Sequence, residues 1–355
     1  MQYKTSDTDN AARGRLCYLS RRYRDRRTAG NKAKSDYEDI LAGCGAVNLG
    51  LRRSYGRGAV ATFVRNLAGV ARYVLSVRRG DTVVLQYPVK KYFSLLCRVA
   101  RWRGARTVAL VHDLGSCRRR KLSEAQELRR LGRADVVAAT NGAMAQWLEE
   151  RGMPAHRLEA LGLHDYLSDA EPREPQAAAL TEVAYAGSLN MRKNAFLLRM
   201  AELGHALTVH LYGTLRDYDP ADGTASHIHE HGFVAPDDFI AGAEGAWGLV
   251  WDGDSLDGCT GDWGGYLRVN TPHKSAFYLR AGLPLIVWSR SAIAPIVRER
   301  GLGLCVESLR DLPQALAAVT PEQYAAMRSA ALAAGAEAAA GANLRALLAR
   351  LGFSA

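Results

Sequence analysis

Several stretches of this 355-residue chain place cationic side chains where a polyanion could be held. The most pronounced is Asn270-Thr271-Pro272-His273-Lys274, which runs through Arg280 to Gly282 and then into the apolar segment Leu285 to Trp288. Thr271 can cap a helix whose first position is Pro272, and Gly282 suits the left-handed residue that ends it. Lys274 then stands in the first turn, where unpaired N–H groups and the positive end of the helix dipole favour an anion. A phosphate-bearing ligand fits there, although an ordinary helix with a solvated lysine has the same signature. A second stretch, Ala186-Gly187-Ser188-Leu189-Asn190-Met191-Arg192-Lys193, is a small-residue loop opening a helix. Gly187 permits close backbone approach, and Arg192 and Lys193 can meet phosphate charge; a plain strand-to-helix turn reads the same way. A third, Arg26-Arg27-Thr28-Ala29-Gly30-Asn31-Lys32-Ala33, is a basic, glycine-containing loop before a helix.

Carboxylates and imidazoles supply other chemistry. His112-Asp113 follows a buried strand, and Asp36 lies in the first helix. A carboxylate within reach of a hydroxyl is what general-base assistance needs, and capping is the alternative use of either aspartate. His164-Asp165-Tyr166 is a further polar cluster near the middle of the chain. Asp252-Gly253-Asp254 has the spacing of a metal-nucleotide site, in which two carboxylates hold a divalent ion against a diphosphate. With Lys274 close behind it in sequence, the glycine- and aspartate-rich run from Gly253 to Val269 reads more naturally as a mobile flap. His227, His229 and His231 alternate, so a strand would put three imidazoles on one face, an arrangement open to zinc. No carboxylate partner is placed for them, so surface histidines are the reading taken and no metal is expected.

The elements that must position these groups are short apolar strands alternating with helices. The first half reads as strands at 15–20, 81–86, 107–111, 135–139 and 158–162, with helices between. An amphipathic pattern over 58–79 reads as a core-packed helix with basic solvent positions, the alternative being a membrane-surface or calmodulin-target helix. The polar, proline-containing run Ser168 to Pro175 marks a boundary, giving domains of 1–168 and 169–355. The pattern then restarts with strands at 182–186, 207–212, 228–234 and 248–252. Such alternation implies right-handed βαβ units and parallel sheets, hence an α/β protein of two Rossmann-like halves facing across a cleft.

Composition agrees. Hydrophobic residues make up 48% of the chain, enough for two cores. Residues 1–170 hold 32 Lys/Arg against 16 Asp/Glu, net +16, while 171–355 hold 15 against 20, net −5, so the positive charge of this +11 chain lies in the first half. That suggests an anionic partner: a phospholipid surface, a lipid-diphosphate acceptor or nucleic acid. The basic residues are not interleaved with aromatics on one recognisable module, which argues against nucleic acid. Six dispersed cysteines without a C-x-x-C pair imply reduced thiols in a cytoplasmic protein. The polar N-terminus is no secretory signal, and no apolar run is long enough to span a bilayer, so membrane contact would be peripheral.

The segment Asn270 to Val287, with Gly248-Leu249-Val250-Trp251 before it and "AIAPIVRERGLGL" (Ala292 to Leu304) after it, resembles the donor-binding region of GT-B glycosyltransferases. The group is the bacterial one containing β-1,6-galactofuranosyltransferases and the glucosyltransferases that extend sugars on serine-rich adhesins. The resemblance implies transfer of galactofuranose, galactose or glucose from a UDP-sugar to a glycan or lipid-linked oligosaccharide, without a metal cofactor. It implies a donor site made by Gly187, Ser188, Arg192, Lys193, Tyr212, Gly213, Asp252, Asn270, Thr271 and Lys274, with Tyr212 stacking on uracil and backbone near Gly213 reading its edge. It places Arg27, Gly30, Asn31, Lys32 and His112 at the cleft against donor phosphate or acceptor. Asp113 is the first candidate for deprotonating the acceptor and Asp36 the second. In the family the last helix often packs back on the first domain, which Asn343 to Leu351 could do here. Another GT-B activity, such as sugar-nucleotide epimerisation, and a basic nucleic-acid-binding protein are the competing readings. Donor sugar, acceptor, stereochemical course and assembly into a homo-oligomer are left open.

Overall fold

The computed structural model describes residues 14–25, 29–88, 92–119, 122–173, 179–216 and 227–353. Two six-stranded parallel sheets carry the fold. The first contains β1 (Leu16–Tyr18), β2 (Val47–Asn48), β3 (Thr82–Tyr87), β4 (Arg106–Val111), β5 (Val136–Ala139) and β6 (Leu158–Ala160), in the spatial order β2-β1-β3-β4-β5-β6. The second contains β7 (Glu182–Ala186), β8 (Thr208–Tyr212), β9 (Ile228–Gly232), β10 (Trp247–Val250), β11 (Leu285–Trp288) and β12 (Gly303–Val306), in the order β9-β8-β7-β10-β11-β12. Central strands such as Val136–Ala139 and Leu285–Trp288 are buried throughout, which is why they read as unbroken apolar runs.

In each sheet the strand order reverses once, between β1 and β3 and between β7 and β10. Loops leaving neighbouring strands in opposite directions open a crevice at that point, beyond the carboxyl ends. Ligand sites are therefore expected outside Tyr18 and Tyr87 in the first sheet, and outside Ala186 and Val250 in the second.

The helices include α1 (Ala29–Gly43), α2 (Ala59–Ser76), α3 (Phe93–Trp102), α4 (Met191–Asn194), α5 (Pro236–Gly242), α6 (His273–Arg280), α7 (Pro321–Ala339) and α8 (Ala342–Arg350); Glu124–Leu131 and Gly142–Glu149 are helical as well, and shorter helical segments lie between. Leu344, Leu347 and Leu348 of α8 pack with Tyr37, Ile40, Leu41, Val84 and Leu110, so the end of the chain completes the core of the first sheet. Asp165 anchors this return: it accepts from the N–H groups of Asn343 (3.0 Å) and Leu344 (2.8 Å) at the start of α8.

Two expectations need correction. In α2 the apolar face is not packed away: Gly69, Val70 and Tyr73 are buried, but Val60 is 77% and Leu75 80% exposed, with Phe63, Val64 and Leu67 about half exposed. The run after Asp252 is no flap. Leu256, Cys259 and Leu267 join the core of the second sheet, and the Tyr266 hydroxyl accepts from the Leu114 N–H of the first half at 2.8 Å. Apolar residues spaced between its glycines give this segment a core of its own to pack into. All six cysteines are unpaired. Among the described residues no helix is long and apolar enough to cross a membrane.

Candidate functional site

Lys274 lies in the first turn of α6, which is locked to the second sheet by Tyr278. Gly248 in β10 leaves room for that ring, since a Cβ there would sit 2.4 Å from it. The Tyr278 hydroxyl accepts from the Ala186 N–H at 2.7 Å, joining α6 to the end of β7. Gly335 of α7 lets the helices touch from the other side: a Cβ on it would lie 2.2 Å from the Leu279 carbonyl oxygen. Gly282 ends α6 at φ 67°, as its position after the apolar stripe requires. The cap differs from expectation. Pro272 occupies it, and the buried Thr271 hydroxyl accepts from Asn141 Nδ2 at 2.9 Å instead. Asn141, which caps the helix Gly142–Glu149, also donates to Val269 O at 3.0 Å, so one side chain ties the two halves.

Lys274 Nζ donates to Asp252 Oδ1 (3.1 Å) and to the Tyr185 hydroxyl (3.0 Å). Lys193 Nζ lies 3.1 Å from the same Asp252 oxygen. The three charged groups meet at the switch point of the second sheet, just beyond β7 and β10. Tyr185 passes the order outward. Its hydroxyl donates to Asn194 Oδ1 at 2.9 Å, and Asn194 Nδ2 donates to Ser188 O at 2.6 Å, so Lys274 and the Gly187-Ser188 loop belong to one network. Tyr185 and Asn194 were missed in the sequence because neither spacing nor charge marks a buried tyrosine as a lysine's partner.

Burial pushes the Asp252 carboxyl up, but Lys193 and Lys274 together outweigh it and hold it below its ordinary value. Burial pushes Lys274 down to about 8, with Asp252 opposing and Lys193 reinforcing the shift. The cluster carries two positive charges and one negative, leaving a net positive site with water largely excluded.

Other predicted residues fall into three groups. Gly187, Ser188 and Arg192 are exposed at the mouth of the site. Gly213 lies against Gly187, with φ 151° and a Cβ position only 2.0 Å from Gly187 O, so no other residue fits. Asn270 is half-buried, and its Oδ1 has no hydrogen-bond partner among the described residues.

A second group has other duties. Tyr212 is no platform for a base: its ring stacks on His231 (centroids 4.3 Å apart), meets Phe239 edge-on, and its hydroxyl accepts from the Glu244 N–H. Asp36 is buried with both oxygens on Lys32 Nζ (2.6 and 2.5 Å), and Oδ2 also accepts from the Leu167 N–H. Burial pushes its pKa up against the pull of Lys32. The pair fastens α1 to the connection between the halves, so Lys32 is not free for phosphate nor Asp36 for a sugar hydroxyl. His164 does similar work, accepting at Nδ1 from Tyr37 (2.7 Å) and donating from Nε2 to Thr271 O (3.0 Å); burial brings its pKa to about 4 and keeps it neutral.

The third group lies on the first half's side. His112 donates to Gln86 Oε1 at 2.8 Å and packs on Tyr37. Asp113, at the end of β4, gives Oδ2 to Arg118, while its Oδ1 has no partner among the described residues. Gly30 and Asn31 form the first turn of α1, and Arg27 lies outside the described residues. The switch point of the first sheet holds a pocket lined by Leu19, Arg21, Tyr23, Lys34, Leu85 and Gln86.

Two Rossmann-like halves with a cationic cluster at the second switch point define the GT-B class of glycosyltransferases. The comparisons agree: the Glucosyltransferase 3-like N-terminal domain matches residues 16–160 and the C-terminal domain of the same family matches residues 183–351. The chain belongs to the Glucosyltransferase 3-like family and is a glycosyltransferase. It is 27% identical over 306 residues to the β-1,6-galactofuranosyltransferase WbbI of Escherichia coli, covering 84% of this chain and 87% of that one. It is 24% identical over 266 residues to Glucosyltransferase 3 of Streptococcus gordonii, covering 73% and 75%. Among solved structures, HepE of Anabaena in complex with UDP and glucose superposes with a TM-score of 0.61 at 12% identity, covering 95% of this chain and 99% of that one.

Proposed function

We propose that the enzyme transfers a hexosyl group from a UDP-sugar to a hydroxyl of a glycan or lipid-linked oligosaccharide. The observation that carries this reading is the convergence of Lys193 and Lys274 on one Asp252 oxygen at the switch point. A diphosphate entering beside Gly187 and Ser188 meets both ammonium groups and the first-turn N–H groups of α6. Departing UDP is neutralised by fixed charge, with no metal required. The relatives supply the chemical class: UDP and glucose for HepE, galactofuranosyl transfer for WbbI. Galactofuranose, galactose and glucose are the donors to screen.

On the acceptor side, Asp113 Oδ1 at the end of β4 is the proposed base for the attacking hydroxyl. The basic pocket around Arg21 and Lys34 suits an anionic portion of the acceptor. The exposed stripe Val60, Phe63, Val64, Leu67 and Leu75 on α2, with Arg57 and Arg72 exposed beside it, suits an anionic membrane surface where lipid-linked acceptors reside. Sedimentation with anionic vesicles tests the membrane contact; no binding at low salt removes it.

Thermal-shift titration with UDP, dTDP, GDP and inorganic phosphate, without and with Mn²⁺, tests the donor assignment. UDP alone should raise the midpoint, by mass action on the folded state. No shift with any nucleotide overturns the assignment, and a shift that needs Mn²⁺ overturns metal independence.

A further inference from the structure

Strands β8 and β9 of the second sheet gather a set of groups that the proposed transfer reaction does not use. His210 on β8, His231 on β9 and Glu244 after α5 each offer a ligand atom, and these atoms lie within 4.8 Å of one another. His210 Nδ1 is 3.0 Å from His231 Nε2 and 3.7 Å from Glu244 Oε2. Ligands bound tetrahedrally at 2.0–2.2 Å stand about 3.3–3.6 Å apart, so both separations from His210 are within a few tenths of an ångström of that spacing, and the exposed Glu244 side chain must swing in to close its distance to His231, which is at most 4.8 Å.

The remaining shell is oriented for the same purpose. His210 is almost fully buried, and its Nε2–H faces Glu182 Oε2 at 3.3 Å. A carboxylate on the far nitrogen fixes the tautomer and leaves the Nδ1 lone pair directed at His231 and Glu244, as for metal-bound histidines generally. A register shift in the β8–β9 pairing sets His231 out of step, and Tyr212 stacks on its ring with the planes 7° apart. The alternation His227, His229, His231 therefore misleads as a ligand set. His227 packs on His205 instead, and the second imidazole comes from a neighbouring strand.

We propose that His210, His231 and Glu244 bind a divalent transition metal, zinc by the chemistry of the donors, with Glu182 as the orienting carboxylate. Two imidazoles and a carboxylate suit zinc better than magnesium or calcium, which prefer oxygen alone. In the metal-free pair one ring nitrogen must donate to the other; binding releases that proton or moves it to His231 Nδ1. The ion joins the edge strand β9 to β8 and to the connection entering β10. Its role is a structural clip, since it lies on strands and loops distinct from Lys193, Asp252 and Lys274.

The test uses the untagged 355-residue chain freed of metal by chelation. Zn²⁺ affinity is measured by competition with a chromophoric chelator, and the ligand field by Co²⁺ absorption. One equivalent should bind, raise the thermal midpoint and give the intense visible bands of low-coordinate cobalt. Glu244→Gln, at the surface and harmless to folding, should weaken binding at least tenfold, as should His231→Ala. Glu182→Gln should weaken it about 10- to 100-fold through the orientation of His210. Wild-type binding no tighter than that of Glu244→Gln and His231→Ala, or cobalt spectra of octahedral type, overturns the proposal.

Discussion

Lys274 Nζ lies 3.1 Å from Asp252 Oδ1, and that one carboxylate also holds Lys193. The aspartate holds both ammonium groups at one oxygen before any ligand arrives, and it opposes the loss of charge that burial favours at Lys274. An isolated lysine so buried would shed its proton, and two without a counterion would repel. On the proposed donor assignment, a diphosphate finds its cations already positioned, so little ordering remains to oppose binding.

Lys274→Ala should reduce kcat/KM by about 100-fold or more, the loss expected on removing a group that stabilises developing charge. Asp252 keeps Lys193 as partner in this variant, so the fold should survive. Steady-state kinetics with UDP-sugars, read beside the thermal midpoint, decide the matter: near-normal turnover in a folded variant removes Lys274 from the mechanism.

If Lys274 holds the donor diphosphate as proposed, its pKa of about 8 should give UDP binding a pH dependence. Below that value the ammonium is charged and attracts the diphosphate; above it the free enzyme is neutral there, and binding must first take up a proton. Affinity should fall as pH rises from 7 to 9, approaching about tenfold per unit. Calorimetric titration across this range checks the slope, and Lys274→Arg should flatten it because guanidinium stays charged.

Glu38 offers a stability test away from the donor site. It is buried, accepts from Ser20 Oγ (2.6 Å) and the Tyr23 hydroxyl (2.5 Å), and burial pushes its pKa up to about 7. A carboxyl raised above its unfolded value stabilises fully below about pH 4.5, and that contribution is lost as pH rises through 7. Glu38→Gln should therefore be relatively more stable at pH 8 than at pH 5, by up to about 3 kcal/mol. Urea denaturation of both proteins at the two values measures the difference; equal shifts at both values contradict the assignment.

Gly335→Ala should destabilise by about 1–3 kcal/mol, since the added methyl meets the Leu279 carbonyl, a backbone atom that cannot turn aside. The strain falls on the helix that carries Lys274. UDP affinity should drop together with the thermal midpoint, and a variant of unchanged stability would show that the α6–α7 contact has room for a methyl group.

Much of the architecture was legible along the chain. Buried parallel strands must be apolar on both faces, so Val136 to Ala139 or Leu285 to Trp288 announce themselves without any partner in view. Lys274 at a helix start and Lys193 after a glycine loop were visible for the same reason: charge beside a turn is a local pattern.

Partnerships were not. Asp36 and Asp252 are both aspartates near lysines, yet one closes a structural clamp on Lys32 and the other seats Lys193 and Lys274 together at the switch point. Tyr212 before a glycine reads as a ligand platform until His231 and Phe239 are seen against its ring. The sequence by itself determined the two-sheet α/β fold and the cationic loops, because burial and turn chemistry act on neighbouring residues. Only the tertiary structure decided which charges meet, because β7, β10 and α6 come together through strand order, and that order brings residues 193, 252 and 274 to one oxygen.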